Sequence, residues 1–176
     1  MKKIALLLLS CIMLVSAPSI ITYAKDSSQD TIIFQSEDTT IGYRTPLIQP
    51  RGYNNQEWYV VKDAGAGYSV EVGALVEMAV GGGHSNFHEV LDKWSVASGS
   101  GSYTWSPSYV SAELVSSTEL RLMSSGYIEV AIDVSETGSV GADLEFVNFE
   151  RGKTIGSTTY YRKRISVDER IKLSYQ

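Results

Sequence analysis

The feature that most constrains the fold is a strict two-residue alternation in the segment 68–80, YSVEVGALVEMAV. Every even position is apolar: Tyr68, Val70, Val72, Ala74, Val76, Met78 and Val80. A β-strand directs alternate side chains to opposite faces, whereas a helix would spread these residues around its circumference. The segment is therefore predicted to be a strand that buries one face.

Shorter alternating runs occur later in the chain, and Gly, Ser, Asn and Pro separate them. They lie near 94–96, 103–105, 110–114, 120–122, 128–134, 140–146 and 161–173. About seven to nine strands at this spacing predict an all-β fold, either a single antiparallel β-sandwich or a small barrel. Residues 86–93 alone favour a helix, of one or two turns, because Asn86 and Glu89 match a capping box.

The first 24 residues are organised like a signal peptide. Lys2 and Lys3 precede an apolar run at 4–15, and small residues before the expected cleavage point place that cleavage after Ala24. The run is shorter than the roughly 20 residues that a membrane-spanning helix needs. Cys11 is interpreted as an apolar residue of this leader rather than as a lipidation site. The mature chain is expected outside the cell.

The mature chain divides into two parts by composition. Residues 25–56 are polar and read as a linker-like arm, in which the segment 31–35, TIIFQ, is a candidate edge strand. Residues 57–176 form the predicted β-sandwich domain. The mature part contains no cysteine, so its core must hold it together without disulfides, as a domain of about 150 residues can do. An exported chain without disulfides indicates a bacterial protein.

Charge is distributed unevenly along the mature chain. Residues 25–150 contain 18 acidic and six basic side chains, whereas residues 151–176 contain two acidic and seven basic ones. The acidic excess argues against nucleic acid as a partner. The basic segment predicts an anion-binding strip for a wall polymer or lipid head groups, formed by Arg162, Arg164, Arg170 and Lys172. The alternative is that these cations pair with acidic residues on neighbouring strands.

Three aromatic residues are candidates for ligand binding. Tyr103, Trp105 and Tyr109 lie in a serine-rich stretch, where aromatic rings can stack on sugars or on a partner protein. The alternative is that Tyr103 and Trp105 belong to the core, since they alternate with Ser102 and Thr104 as inward-facing residues do.

The stretch 81–89, GGGHSNFHE, contains both histidines of the chain. His84 and His88 are spaced as two metal ligands on a helix would be, but the sequence specifies no third ligand. A polar loop is the alternative. The chain has no GxSxG motif and no carboxylate pair that stands out, so no catalytic residue and no cofactor is predicted.

These observations favour a secreted, non-catalytic protein that binds at the cell envelope, or to an extracellular protein or glycan. One alternative is a small extracellular hydrolase or metal-binding protein that uses His84, His88 and Glu89. Another is a membrane-active, toxin-like β-protein, because the segment 68–80 exceeds the 9–11 residues of a membrane strand. Membrane contact has no further support in the sequence, since an acidic polar face is also typical of ordinary sandwiches.

Overall fold

The computed structural model describes residues 30–47, 54–81, 84–136 and 140–173. Within these ranges the chain is built almost entirely of strands. The strands are β1 (Thr31–Gln35), β2 (Thr39–Arg44), β3 (Asn55–Gly65), β4 (Tyr68–Gly81), β5 (His84–Ala97), β6 (Thr104–Ser116), β7 (Glu119–Asp133), β8 (Glu150–Ile155) and β9 (Thr158–Lys172). A 3-10 turn at Val134–Glu136 and the short helix α1 (Val140–Phe146) lie between β7 and β8.

The strands form two antiparallel sheets, so the predicted all-β sandwich is confirmed. The first sheet has the order β1-β2-β3-β4-β5, and the second has the order β6-β7-β9-β8. Each sheet comes from one continuous part of the chain, and the segment between β5 and β6 connects them. The predicted signal peptide lies outside the described residues, as does the single cysteine.

The core lies between the two sheets. The even positions of β4 from Val70 to Met78 point inward as the alternation predicts, and the inner side chains from Val70 to Val76 are fully buried. They meet the even positions of β7 and the odd positions of β9, among them Leu122, Ile128 and Tyr161, which are also fully buried. Burying each large apolar side chain stabilises the fold by about 1.5–3 kcal/mol. This shared layer joins the sheets without a covalent link.

The prediction of a helix at 86–93 is wrong, because this segment belongs to β5. It pairs with β4 from His84 to Ala97, and the register shifts between Phe87 and Glu89 and again between Val90 and Asp92. Each bulge inserts one extra residue and reverses the parity of the residues after it. Apolar residues at 87, 90, 91 and 94 therefore acquire helical spacing by accident. Pairing with β4 outweighs the local capping pattern.

The expectation of a strand at 140–146 is also wrong. This segment is α1, which buries Gly141 and Leu144 on one side and leaves Phe146 almost fully exposed. Both edges of β7 are already occupied, by β6 and β9. A segment with no strand beside it satisfies its backbone best as a helix, in which the hydrogen bonds are internal.

Two strands lie in the segment that the sequence analysis assigned to a polar arm. The stretch 31–35 is indeed an edge strand, with all five residues exposed. Residues 39–44, which the sequence did not predict to be a strand, form β2 and pair with β3 from Thr39 to Arg44. At the other end of the chain, β9 stays extended throughout and does not turn at Asp168.

Lys163 links three parts of the fold. It lies on the inward-facing side of β9, and its amine donates hydrogen bonds to the carbonyl oxygens of Ala64 and Val147, both at 2.7 Å. Ala64 lies at the end of β3, and Val147 directly follows α1. The amine also lies 5.6 Å from the centre of the Phe149 ring. Through these hydrogen bonds Lys163 connects α1 and the first sheet to the second sheet.

We expect Lys163→Met to lower the free energy of unfolding by about 2–3 kcal/mol, because the carbonyls of buried Ala64 and half-buried Val147 lose a charged donor. Urea unfolding followed by tryptophan fluorescence measures this change. Lys153→Met is the matched control, since Lys153 is exposed and makes no ion pair within the described residues, and its effect should stay below about 0.5 kcal/mol. Equal effects of the two changes would contradict the role given to Lys163.

Candidate functional site

The outer face of the first sheet is occupied by its own side chains. The Arg44 guanidinium lies 2.6 Å from a carboxylate oxygen of Glu57 and 2.8 Å from one of Glu71. Glu71 also accepts a hydrogen bond of 2.9 Å from the indole nitrogen of Trp94. Burial opposes the charge of Arg44, but the two carboxylates outweigh it and raise the pKa of the guanidinium. The cluster is satisfied internally, so it has little left to offer a ligand.

Two aromatic rings on this face cover two glycines. Gly42, Tyr59, Gly73 and Trp94 stand in one row across β2 to β5. A Cβ atom at Gly73 would lie 2.3 Å from the Trp94 ring, so only glycine allows the ring to lie flat on the sheet. Tyr59 covers Gly42 in the same manner and is itself buried. These rings stabilise the sheet by covering the backbone of its glycines.

The outer face of the second sheet is different, because it exposes two tyrosines. Tyr109 on β6 is 51% exposed, and Tyr127 on β7 is 48% exposed. Tyr109 is paired with Ser125, which is two residues from Tyr127 on the same strand, so the tyrosines are diagonal neighbours. Diagonal neighbours on a sheet lie roughly 7–8 Å apart. Neither hydroxyl has a hydrogen-bond partner in the part of the chain described.

Serines surround the two rings. Ser106 is the cross-strand partner of Tyr127, and Ser125 is paired with Ser166 on β9. Because these side chains are short, the rings stand above them. We call this surface the tyrosine–serine patch, and its members are Ser106, Tyr109, Ser125, Tyr127, Arg164 and Ser166. It combines aromatic faces with hydroxyl groups and one cation.

Gly126 sets the spacing of the two tyrosines. A Cβ atom at this position would lie 2.4 Å from the carbonyl oxygen of Ser106 and 2.8 Å from the Cα of Pro107. Only glycine therefore lets β6 approach β7 at the bulge that precedes Tyr109. The Ser108 hydroxyl stabilises the bulge, because it donates a hydrogen bond of 2.9 Å to the carbonyl oxygen of Ser125.

Most basic side chains on this face are paired. Arg162 lies 2.5 Å from Glu129, and Arg170 lies 3.0 Å from Glu119, which Lys172 also approaches at 3.8 Å. Three members of the predicted anion-binding strip are thus paired with acidic residues on neighbouring strands, as the alternative interpretation of the sequence expected. The fourth member, Arg164, makes no ion pair with any residue that the structure describes.

An ion pair borders the patch on the side away from Arg162. The Arg121 guanidinium donates two hydrogen bonds of 2.7 Å to Asp168 and lies 3.4 Å from Glu113. The hydrogen bonds from Arg121 hold the pKa of the Asp168 carboxyl below its ordinary value of 3.8. Asp168 therefore remains charged and paired at neutral pH.

Tyr103 and Trp105 point away from the patch. The Tyr103 hydroxyl donates to the carbonyl oxygen of Ser69 and accepts from the backbone nitrogen of Gly99 at 2.7 Å. The Trp105 indole nitrogen donates to the Ser95 hydroxyl at 3.0 Å. Both rings pack against the core and join β6 to the first sheet. Of the three predicted aromatic residues, only Tyr109 lies on the patch.

Tyr127 was not among the sequence candidates, although a signal for it existed. The even positions of 120–132 are mostly apolar, whereas Arg121, Ser125 and Glu129 stand at odd positions. Tyr127 is the single aromatic residue at an odd position of this run, which predicts an aromatic ring on the outer face. Its closeness to Tyr109 depends on strand register, which no alternation pattern contains.

The two histidines belong to β5, and His88 is exposed at the first of its bulges. The side chain of His84 lies outside what the structure describes. Within the described residues, no group of three or more His, Cys, Asp or Glu side chains could hold a metal ion. The two-histidine metal site stays a prediction.

An open groove of about 300 Å³ lies at the turn between β1 and β2. Its acidic side chains include Asp38, which lies 2.7 Å from Lys62, and Asp63, which accepts a hydrogen bond from the backbone nitrogen of Gly65. Both carboxylates thus have partners within the fold.

The described residues include no helix that is long and apolar enough to cross a membrane.

Comparison of the chain with protein-family models, with curated proteins and with solved structures found no match. The geometry of the two outer faces is therefore what points to a function.

We expect Arg121→Gln to return the pKa of Asp168 toward 3.8, measured by NMR titration of the carboxyl carbon. Since the folded-state pKa is depressed, the pair stabilises the protein above the unfolded-state pKa, and this contribution is lost as pH falls through the folded-state pKa. Asp133 is the internal control, because hydrogen bonds from Ser135 lower its pKa independently of Arg121. An unchanged pKa of Asp168 in the variant would contradict this pairing.

Proposed function

We propose that this protein is exported and binds a glycan of the cell envelope through the tyrosine–serine patch. The observation that carries the proposal is the pair of exposed tyrosines, Tyr109 and Tyr127, on an outer face whose other large side chains are mostly held in ion pairs. The proposal needs no cofactor and no catalytic group.

The chemistry of the patch suits a sugar better than an apolar ligand. Aromatic rings offer flat faces, and a pyranose ring has an apolar face of matching size that can stack on them. The serines between and beside the rings offer hydroxyl groups that can both donate and accept hydrogen bonds. An apolar partner would leave these hydroxyls unpaired on burial, at a cost in free energy.

The carboxylates near the patch support binding rather than hydrolysis. Glu129 is paired with Arg162, and Asp168 is paired with Arg121. A glycosidase needs one carboxyl group that is free to give its proton to the leaving group. The hydrogen bonds from Arg121 lower the pKa of Asp168, so this carboxylate keeps its charge and is a poor proton donor.

Export agrees with this function. The leader predicted at 1–24 would deliver the chain to a compartment in which envelope glycans are accessible. A core without disulfides serves equally well before and after transport, because its stability does not depend on oxidation.

We expect the double variant Tyr109→Ala and Tyr127→Ala to lose at least about tenfold in affinity for isolated cell walls, because two stacking contacts disappear. Co-sedimentation of the purified protein, residues 25–176, with cell walls measures the loss.

Phe146→Ala is the matched control, since Phe146 is the most exposed aromatic residue described and belongs to α1 rather than to the patch. It should bind as the wild type does. Circular dichroism must show that all variants keep their strand content. Binding that survives in the folded double variant would refute the role of the patch.

A further inference from the structure

We propose that the glycan bound by the patch is acidic and that Arg164 binds a carboxylate carried by one of its sugar rings. This inference rests on the proposed function, because it names the class of ligand for the same surface. Two observations support it. Arg164 has no ion-pair partner among the described residues, and the strand register places it beside Tyr127.

Arg164 differs from its neighbours in having no acidic partner within the described part of the chain. Five basic side chains face outward from β7 and β9, and four of them, Arg121, Arg162, Arg170 and Lys172, are bound to carboxylates of the same face. Arg164 is exposed and is bound to none among the described residues. Among the outward-facing cations of β7 and β9 that the structure describes, Arg164 is thus the one without an ion pair.

The register places this cation beside the tyrosines. Arg164 is the cross-strand partner of Tyr127, and Ser166 lies next to it on the same face of β9. Directly opposed residues on a sheet have Cβ atoms roughly 5 Å apart. A sugar ring stacked on Tyr127 would therefore hold its substituents within reach of the guanidinium.

A carboxylate on a sugar ring fits this arrangement better than a phosphate polymer does. The guanidinium fork binds a carboxylate or a phosphate with two parallel hydrogen bonds, so the choice between these anions depends on the rest of the patch. A polymer of glycerol phosphate has no ring to stack on the tyrosines. Such a polymer would also be bound mainly through several free cations, and the tyrosine–serine patch contains one, Arg164. The geometry therefore favours a uronic acid unit within an otherwise stackable chain.

The experiment compares acidic sugars with their uncharged counterparts. The probes are oligosaccharides of galacturonate, glucuronate and mannuronate, each beside its methyl ester, which keeps the ring and removes the charge. Isothermal titration of residues 25–176 measures the affinities. Poly(glycerol phosphate) forms a further arm, which tests the phosphate source.

Wild-type protein should bind at least one acidic oligosaccharide about tenfold more tightly than its methyl ester, as expected for one hydrogen-bonded charge. Arg164→Gln should bind both forms equally, at the affinity of wild type for the ester. Arg170→Gln is the matched control, since it removes the same charge from the same strand outside the patch, and it should keep the wild-type preference.

The remaining outcomes separate this inference from the proposed function. Equal binding of acids and esters by wild type, with loss of both in the double tyrosine variant, would leave the glycan function intact and overturn the acidic ligand. Binding of poly(glycerol phosphate) that needs Arg164 but not Tyr127 would overturn it in favour of phosphate. If wild type binds none of these oligosaccharides but still binds cell walls through the tyrosines, the acidic ligand falls and the envelope function stands. Loss of wall binding as well overturns both.

Discussion

The structure depends on one buried layer of apolar side chains between two sheets. On the side of the first sheet, β4 contributes the most residues to this layer, and β7 and β9 supply most of the other side. Because the mature chain contains no cysteine, this contact and a few polar links, such as that of Lys163, hold the sheets together. The core in turn fixes which side chains must face outward, so it decides what a ligand can meet.

The two outer faces differ in how their charged side chains are neutralised. On the first sheet, Arg44 is shared between Glu57 and Glu71, and the Trp94 ring covers the backbone beside them, which closes the surface. On the second sheet, ion pairs occupy the two flanks and leave between them two exposed rings and the cation Arg164. An acidic chain with a basic last strand can neutralise most of that strand by cross-strand pairing. The side chains that remain unpaired are the chemically available part of the surface.

Sequence patterns predicted the regular strands and failed at the irregular ones. β4 and β7 keep strict alternation, so their inner faces can be read directly. β5 contains two bulges that turn its alternation into a helix-like spacing, and α1 alternates although it is a helix. Bulges and the choice between strand and helix depend on which strand lies alongside. The basic and aromatic candidates were found separately, and only Tyr109 and Arg164 among them proved to lie on the tyrosine–serine patch.

The sequence by itself determined the all-β class, the inward faces of the regularly alternating strands and the number of cations in the last strand. Each of these depends only on residue type and on whether a residue stands at an odd or an even position of a single segment. The tertiary structure decided which cations are neutralised, that Tyr103 and Trp105 point inward, and that Tyr127 joins Tyr109 and Arg164. These outcomes depend on strand order and register. Both are set by how three separate strands bury their apolar sides together, which is information that no single segment contains.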